Sequence, residues 1–353
     1  MEPLKEILES TGFFAGVPEW GMIAIASLSF GLSVFGGLAL AALIFVWMER
    51  KVAGYIQSRY GPMYVGGFHG VLQTIADAIK LLNKEDIWPS DADKFLWRIA
   101  PIMVFLGAFL SFVVLPFGPN WIGAQLEVGL LYVFATSSLV VMGVIAAGWG
   151  SNNKWSLYGA MRGAAQVISY EIPLGLAVLP VVIAAGSLNL STIVESQAGW
   201  FWNWNILGGL PVVGAIGCLI YLISSLAEVN RTPFDLPETE SELVSGFHTE
   251  YTGMKFAFFF LGEYADMFVV SAIGVTTFLG GWYVGIPAID AWAPAPLVFI
   301  LKSVALVFVQ IWLRWTLPRL RVDQLMHVCW KVLIPATLIL LMVYGLVYTM
   351  VNG

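Results

Sequence analysis

Residues 21–48 read GMIAIASLSFGLSVFGGLALAALIFVWM, a run of 28 positions with no charged residue and no proline. About 20 apolar residues are enough to cross a bilayer as a helix. Backbone amides and carbonyls in lipid must be satisfied within the segment, so such a run can only be a helix. It is followed by ERKVAGYIQSRYGP, residues 49–62, with Glu49, Arg50, Lys51 and Arg59 ahead of the Gly61-Pro62 turn. Four charges at the end of a span are ordinary anchors and orientation signals.

Working outward, the same cut at charges, Pro and Gly yields eight candidate spans, approximately 21–48, 100–117, 128–149, 164–186, 211–227, 255–282, 297–315 and 332–351. The expected fold class is an all-α polytopic membrane protein, with residues 1–353 forming a single membrane domain. Composition agrees. Of the 353 residues 59% are hydrophobic and 11% charged, with a mean hydropathy of +0.81. A soluble domain carries about 25% charged residues. Too few charges remain to cover a water-facing surface, which excludes a soluble enzyme, a nucleic-acid binder and a disordered scaffold. No repeat or inverted pair of spans is visible, so a transporter of two related halves is disfavoured.

Alternation of the spans places 49–99, 150–163, 228–254 and 316–331 on one side. Of the 17 Lys and Arg, 15 lie in or beside these segments, Lys5 lies on the other side and Lys302 inside a span. By the positive-inside rule the first side is cytoplasmic and both termini face outward. Trp121, Trp200, Trp202, Trp204 and Trp292 sit near span ends on the outer side, as interface anchors do. The first twenty residues are acidic, the opposite of a signal peptide, and are expected to be retained as a short surface helix.

Two cysteines, Cys218 and Cys329, cannot supply the four thiolates an iron–sulfur cluster usually needs. His69, His248 and His327 lie outside the middle of the apolar spans. No redox centre, metal site or catalytic residue is therefore expected in this chain. No phosphate-binding glycine loop and no supported Ser–His–Asp pattern occurs either.

The inner side holds two unusual segments. In 49–99, the string FHGVLQTIADAIKLLNK, residues 68–84, places Phe68, Val71, Leu72, Ile75, Ile79 and Leu82 at helical spacing, with Gln73, Asp77, Lys80 and Lys84 opposite. The pattern predicts an amphipathic helix of about five turns. Either it lies flat on the membrane with solvated charges, or the i,i+3 pair Asp77 and Lys80 lines a cavity.

The second unusual segment, AEVNRTPFDLPETESELVSGFHTEY, carries Glu228, Asp235, Glu238, Glu240, Glu242 and Glu250 against Arg231 alone. Pro233 and Pro237 break helical continuity, so an ordered loop over 228–254 with a short helix from about Pro237 is expected. Further acids lie within spans. Glu171 stands about seven residues past the start of its span, Glu263 and Asp266 are i,i+3 partners, and Lys302 is a few residues into the seventh span. A carboxylate facing hydrocarbon costs several kcal/mol, so such groups face an internal polar cavity and pair. They serve either as structural ion pairs or as a proton path, since a cluster of buried acids can gain and lose protons at working pH.

Five strings in order, ERKVAGYIQSRYGP, LQTIADAIKL followed by NKED, RGAAQVISYE, AEVNRTPFDLPETESELVSGFHTEY and FFFLGEYADM, resemble the membrane H-subunit family of proton-pumping NADH:quinone oxidoreductase, respiratory complex I. The resemblance covers roughly residues 40–350. It implies a chain at the heel of the membrane arm of that complex. Such a chain docks the peripheral arm, forms much of the chamber through which quinone enters and couples quinone reduction to proton translocation.

By position in the motifs, Glu49, Arg50, Arg59, Asp77 and Lys80 are the candidates to line the chamber. Glu171, Glu228, Asp235, Glu238, Glu240, Glu242 and Glu263 are the candidates for proton coupling. Quinone is implied as substrate, with FMN and iron–sulfur clusters held by partner subunits and none bound by this chain. The implied partners are the other membrane and peripheral subunits and the lipid bilayer, and the implied location is a bacterial plasma membrane. An equivalent subunit of a related ion-pumping hydrogenase or other-donor oxidoreductase is the alternative, and a free-standing transporter is the alternative from another class.

Overall fold

The computed structural model describes residues 19–208 and 211–352. The expected N-terminal surface helix falls, over residues 1–18, outside them. Among the described residues all regular elements are helical, with a single isolated bridge between Gly118 and Trp121. The main helices are α1 (Glu19–Ile56), α2 (Gln73–Asn83), α3 (Lys94–Ser111), α4 (Gly129–Gly150), α5 (Lys154–Ala185), α6 (Pro211–Glu228), α7 (Gly253–Phe278) and α8 (Ala295–Thr316). The last, α9, begins as Val322–His327 and passes through a π-turn at Val328–Leu333 into Ile334–Asn352. Seven of these, α1, α3, α4, α5, α7, α8 and α9, are long and apolar enough to cross a membrane. The remaining candidate span is α6, apolar as well but shorter in its part Val212–Glu228.

Several boundaries differ from the sequence-based expectation: α3 runs over Lys94–Ser111 where 100–117 is expected, the last helix begins at Val322 where 332 is expected, and three further differences have a clear local reason. Helix α1 does not stop at Met48. Nothing in ERKVAGYI breaks a helix, so Glu49, Arg50 and Lys51 lie in its last turns, and its 38 residues rise about 57 Å. Helix α5 starts at Lys154, where Asn153 Oδ1 accepts from Trp155 N at 2.9 Å as an N-cap. Glu171 therefore lies near the middle of a 32-residue helix. The amphipathic helix expected over 68–84 is α2, of 11 residues and about three turns. Ahead of it His69 and Gly70 take φ of +49° and +68°, so the chain turns there and cannot be helical.

Hydrogen bonds divide the connections into two faces. On one, Asp93 N donates to Gly150 O at 3.0 Å, Leu320 N donates to Pro233 O at 3.1 Å and Asn153 Nδ2 donates to Glu250 Oε1 at 2.5 Å. These contacts join all four segments that carry the basic residues. On the other, Leu130 N bonds Leu188 O at 3.1 Å, Phe201 N bonds Gly285 O at 2.9 Å and Ile206 N bonds Phe278 O at 3.2 Å. The alternation of spans has this consequence.

The core is organised around α7, whose residues from Tyr264 to Phe278 are all buried. A predominantly apolar helix without a polar stripe belongs inside the bundle. Its Phe268 stacks with Phe45, Phe112 and Phe117 at ring separations of 6.4, 5.8 and 6.4 Å. The acidic segment follows α6 and lies against α5, with its short helix at Glu240–Leu243. A Cβ on Gly159 would stand 2.7 Å from Gly246 Cα and 2.8 Å from Pro237 O, so this close approach needs glycine.

Candidate functional site

Helix α1 presents two consecutive charges to two different places. Arg50 Nη1 donates to Asp77 Oδ2 on α2 at 2.5 Å, and Lys80 Nζ lies 3.7 Å from Asp77 Oδ1. This group is open to its surroundings, with the Arg50 side chain 43% exposed. Trp47 Nε1 donates to His69 O at 3.1 Å and ties the helix to the turn before α2. Arg59 is not brought into this group. It is exposed, and its Nε donates to Gln57 Oε1 at 2.6 Å.

Glu49, one residue earlier, is buried. Its Oε1 accepts from Arg314 Nη1 at 2.6 Å, and its Oε2 accepts from Tyr264 O–H at 2.6 Å and lies 3.5 Å from Arg231 Nη1. Arg231 is 2% exposed. Its Nε is 3.0 Å from Glu263 Oε1 as an ion pair, and its guanidinium lies 4.7 Å over the Tyr264 ring. Burial works against its charge, but Glu263 and Glu49 outweigh that and hold its pKa above the ordinary arginine value. Charges from α1, α7, α8 and the acidic loop thus form one network, with Glu49 joining Arg314 to Arg231 and Arg231 joining Glu49 to Glu263.

Beside this network a cavity of about 30 Å³ is lined by Glu228, Glu238, His248, Glu263 and Asp266 among apolar side chains from α3, α4 and α7. Burial first, then the charges of Glu263 and Asp235, hold the Glu238 carboxyl well above the usual carboxylate range, with Arg231 acting the other way. His248 Nδ1 is 3.8 Å from Glu238 Oε1, too far for a direct hydrogen bond. Burial lowers the His248 pKa to about 4, so at neutral pH the imidazole is uncharged.

A smaller cavity of about 10 Å³ adjoins Glu228 and Asp266 and reaches Ser137 and Tyr221. Ser137 Oγ donates to Glu171 Oε1 at 3.1 Å. Gln166, fully buried on α5, donates from Nε2 to Ala227 O at 2.7 Å and Phe234 O at 2.6 Å, fixing the last turn of α6 against the loop.

The expected acids therefore separate. Glu171, Glu228, Glu238 and Glu263 lie along the two adjoining cavities and the bonds that extend them. Asp235 is buried and pairs with Arg319 at 2.9 Å. Glu242 is half exposed and pairs with Arg162 at 2.6 Å. Glu240 opens the short helix of the loop. Lys302 lies far from these acids in its bonding. Its Nζ donates to Leu279 O at 2.5 Å and Tyr283 O at 2.6 Å and sits 4.1 Å over Trp204, closing the end of α7 on the other face.

Sequence reasoning missed Arg314, Tyr264, His248, Ser137 and Gln166, and read Arg231 only as a counter-charge. A single base among six acids and a lone arginine in the last turn of a span were signals for Arg231 and Arg314. The others had none.

Among the described residues no group of three or more His, Cys, Asp or Glu is arranged to hold a metal ion. Cys218 and Cys329 are buried and unbridged, and Cys329 Sγ donates to Ser169 O at 3.1 Å.

The chain's likeness to known proteins runs through both halves of this site. The family model described as NADH dehydrogenase matches residues 30–345. The H subunit of NADH-quinone oxidoreductase from Chlorobaculum tepidum is 51% identical over 345 residues, covering 93% of each chain. The H subunit from Geobacillus kaustophilus is 48% identical over 342 residues, covering 95% of this chain and 96% of its own. That from Bacteroides thetaiotaomicron is 44% identical over 331 residues, covering 92% and 91%. With seven helices able to span a bilayer and relatives of this kind, the chain is a multi-pass membrane protein of bacterial type, and it belongs to the H-subunit family of NADH-quinone oxidoreductase.

Proposed function

We propose that this chain admits quinone from the bilayer, docks the arm that delivers electrons and couples quinone reduction to proton translocation through its buried carboxylates. The observation that carries the reading is the divergence of Glu49 and Arg50. Arg50 faces the open pair with Asp77, while Glu49 joins Arg231, Arg314, Tyr264 and, through Arg231, Glu263. A change of charge at the open group is one peptide unit away from the buried acids.

Quinone enters past Arg50, Asp77 and Lys80, with Arg59 at the exposed rim. Reduction of a quinone to a quinol takes up two electrons and two protons. The electrons come from the FMN and iron–sulfur clusters of partner subunits. The demand for protons shifts the charge balance at Arg50 and Asp77. The Glu49–Arg231–Glu263 network passes that shift to Glu238, Glu228 and, through Ser137, Glu171. Glu240 belongs to the same acidic loop, which Asp235 and Glu242 place over this line through Arg319 and Arg162.

Four variants in the assembled complex test the reading. Arg50→Met and Asp77→Asn should lower quinone reduction while NADH oxidation by an artificial acceptor persists. Glu228→Gln and Glu240→Gln should keep quinone reduction and lower the protons moved per electron pair. Loss of the assembled complex in all four would show that these charges are structural instead.

A further inference from the structure

His248 has no part in the route just described, yet its placement is specific. It ends the 3₁₀ turn Gly246–His248, is 7% exposed and is packed edge-on against Phe247, Phe256 and Phe260. Its Nδ1 is buried without a hydrogen-bond partner and belongs to a residue lining the 30 Å³ cavity. Glu228 Oε2 and Glu263 Oε1, of two further lining residues, are buried without hydrogen bonds as well, the latter having only its ion pair to Arg231.

Three residues from the loop, α6 and α7, each with a buried polar atom that lacks a hydrogen bond, thus line one small space. Leaving each such atom dry costs about 1–3 kcal/mol. A space of this size holds about two water molecules, and each water needs two to four polar partners.

We infer that the cavity binds water held by His248 Nδ1, Glu228 and Glu263, and that His248 positions this water to complete a hydrogen-bonded line from Glu238 to Glu228. The inference rests on the buried acids being a proton path. The ionisable groups around the cavity are Glu238 from the loop, Glu228 from α6, and Glu263 and Asp266 from α7, whereas α3 and α4 contribute only Val104, Val140 and Val144. Burial keeps the imidazole neutral. Its contribution is therefore one fixed hydrogen-bonding nitrogen and not a charge.

The test compares His248→Phe, which keeps a ring without nitrogen, with His248→Asn, whose amide can replace Nδ1. Both are assayed in the whole complex in liposomes for proton translocation, with NADH oxidation by ferricyanide as the measure of assembly. Proton translocation should fall about tenfold in His248→Phe, the rate equivalent of one unmade hydrogen bond, and stay within about twofold of the parent in His248→Asn. Full translocation in His248→Phe overturns the inference, as does equal loss in both variants. If His248→Phe does not assemble, His248→Leu takes its place, and failure of all three to assemble makes His248 a folding residue only. Glu228→Gln is run beside them. If it translocates normally, the proton-path reading itself fails, whereas its loss beside an intact His248→Phe removes only the role given to His248.

Discussion

Replacing Arg231 with methionine removes a buried cation that faces both Glu263 and Glu49. The two acids are left in unequal positions. Glu49 keeps Arg314 at 2.6 Å and the Tyr264 hydroxyl at 2.6 Å, whereas Glu263 loses its ion pair at 3.0 Å. Removing one partner of a buried pair costs about 3–5 kcal/mol, chiefly because a charge is stranded away from water.

A second change, Glu263→Gln, takes away that stranded charge at nearly the same volume. The double variant should therefore recover about 2 kcal/mol relative to Arg231→Met alone, a coupling that two independent sites would not show. The assay is the midpoint of thermal dissociation of the detergent-solubilised complex for parent, both single variants and the double variant. The expected order places the double variant above Arg231→Met. A double variant at the sum of the two single losses would refute the assignment of Arg231 as the counter-charge of Glu263.

Three further outcomes follow from the packing and charges of the loop. Gly159→Ala places a Cβ against Gly246 and Pro237, so it should destabilise the seating of the loop on α5 by about 1–3 kcal/mol, seen as faster proteolysis within residues 238–250. His248 has a folded pKa of about 4 against an ordinary 6.5, so the unfolded chain binds its proton first as pH falls. Its contribution is constant above pH 6.5 and declines toward pH 4 by about 3 kcal/mol, and His248→Asn should lose that part of the acid sensitivity in a thermal-dissociation series at pH 7, 6 and 5. Glu242→Gln breaks a half-exposed pair and should shift the dissociation midpoint by no more than about 1 kcal/mol allows, in contrast to any change at Arg231.

The apolar runs were legible because a bilayer permits few alternatives. A stretch such as 21–48 without a charge has to be a helix, and the bias of Lys and Arg assigns its sides. The ends were less legible. Glu49 to Lys51 look like the end of a span by charge, yet they carry no helix breaker, and α1 continues through them. The amphipathic pattern from Phe68 was real from Gln73 onward, but Gly66, Gly67 and Gly70 turn the chain ahead of it.

The acids of the site were legible as acids in the wrong surroundings, and the resemblance of the motifs grouped them. Their partners were not legible. Arg314 meets Glu49 across 265 residues of sequence, and Tyr264 meets it across 215, so no local spacing encodes either contact. His248 and Ser137 carry no charge pattern at all, and only the folded chain places them among the carboxylates.

The central claim is that the open charges at α1 and α2 govern the reaction of quinone while the buried acids govern the movement of protons. Its most direct test is the number of protons translocated per NADH oxidised by the complex in sealed liposomes, compared between Asp77→Asn and Glu228→Gln. Asp77→Asn is predicted to slow oxidation and keep the ratio, and Glu228→Gln to keep oxidation and lower the ratio. A full ratio in Glu228→Gln at normal assembly would contradict it.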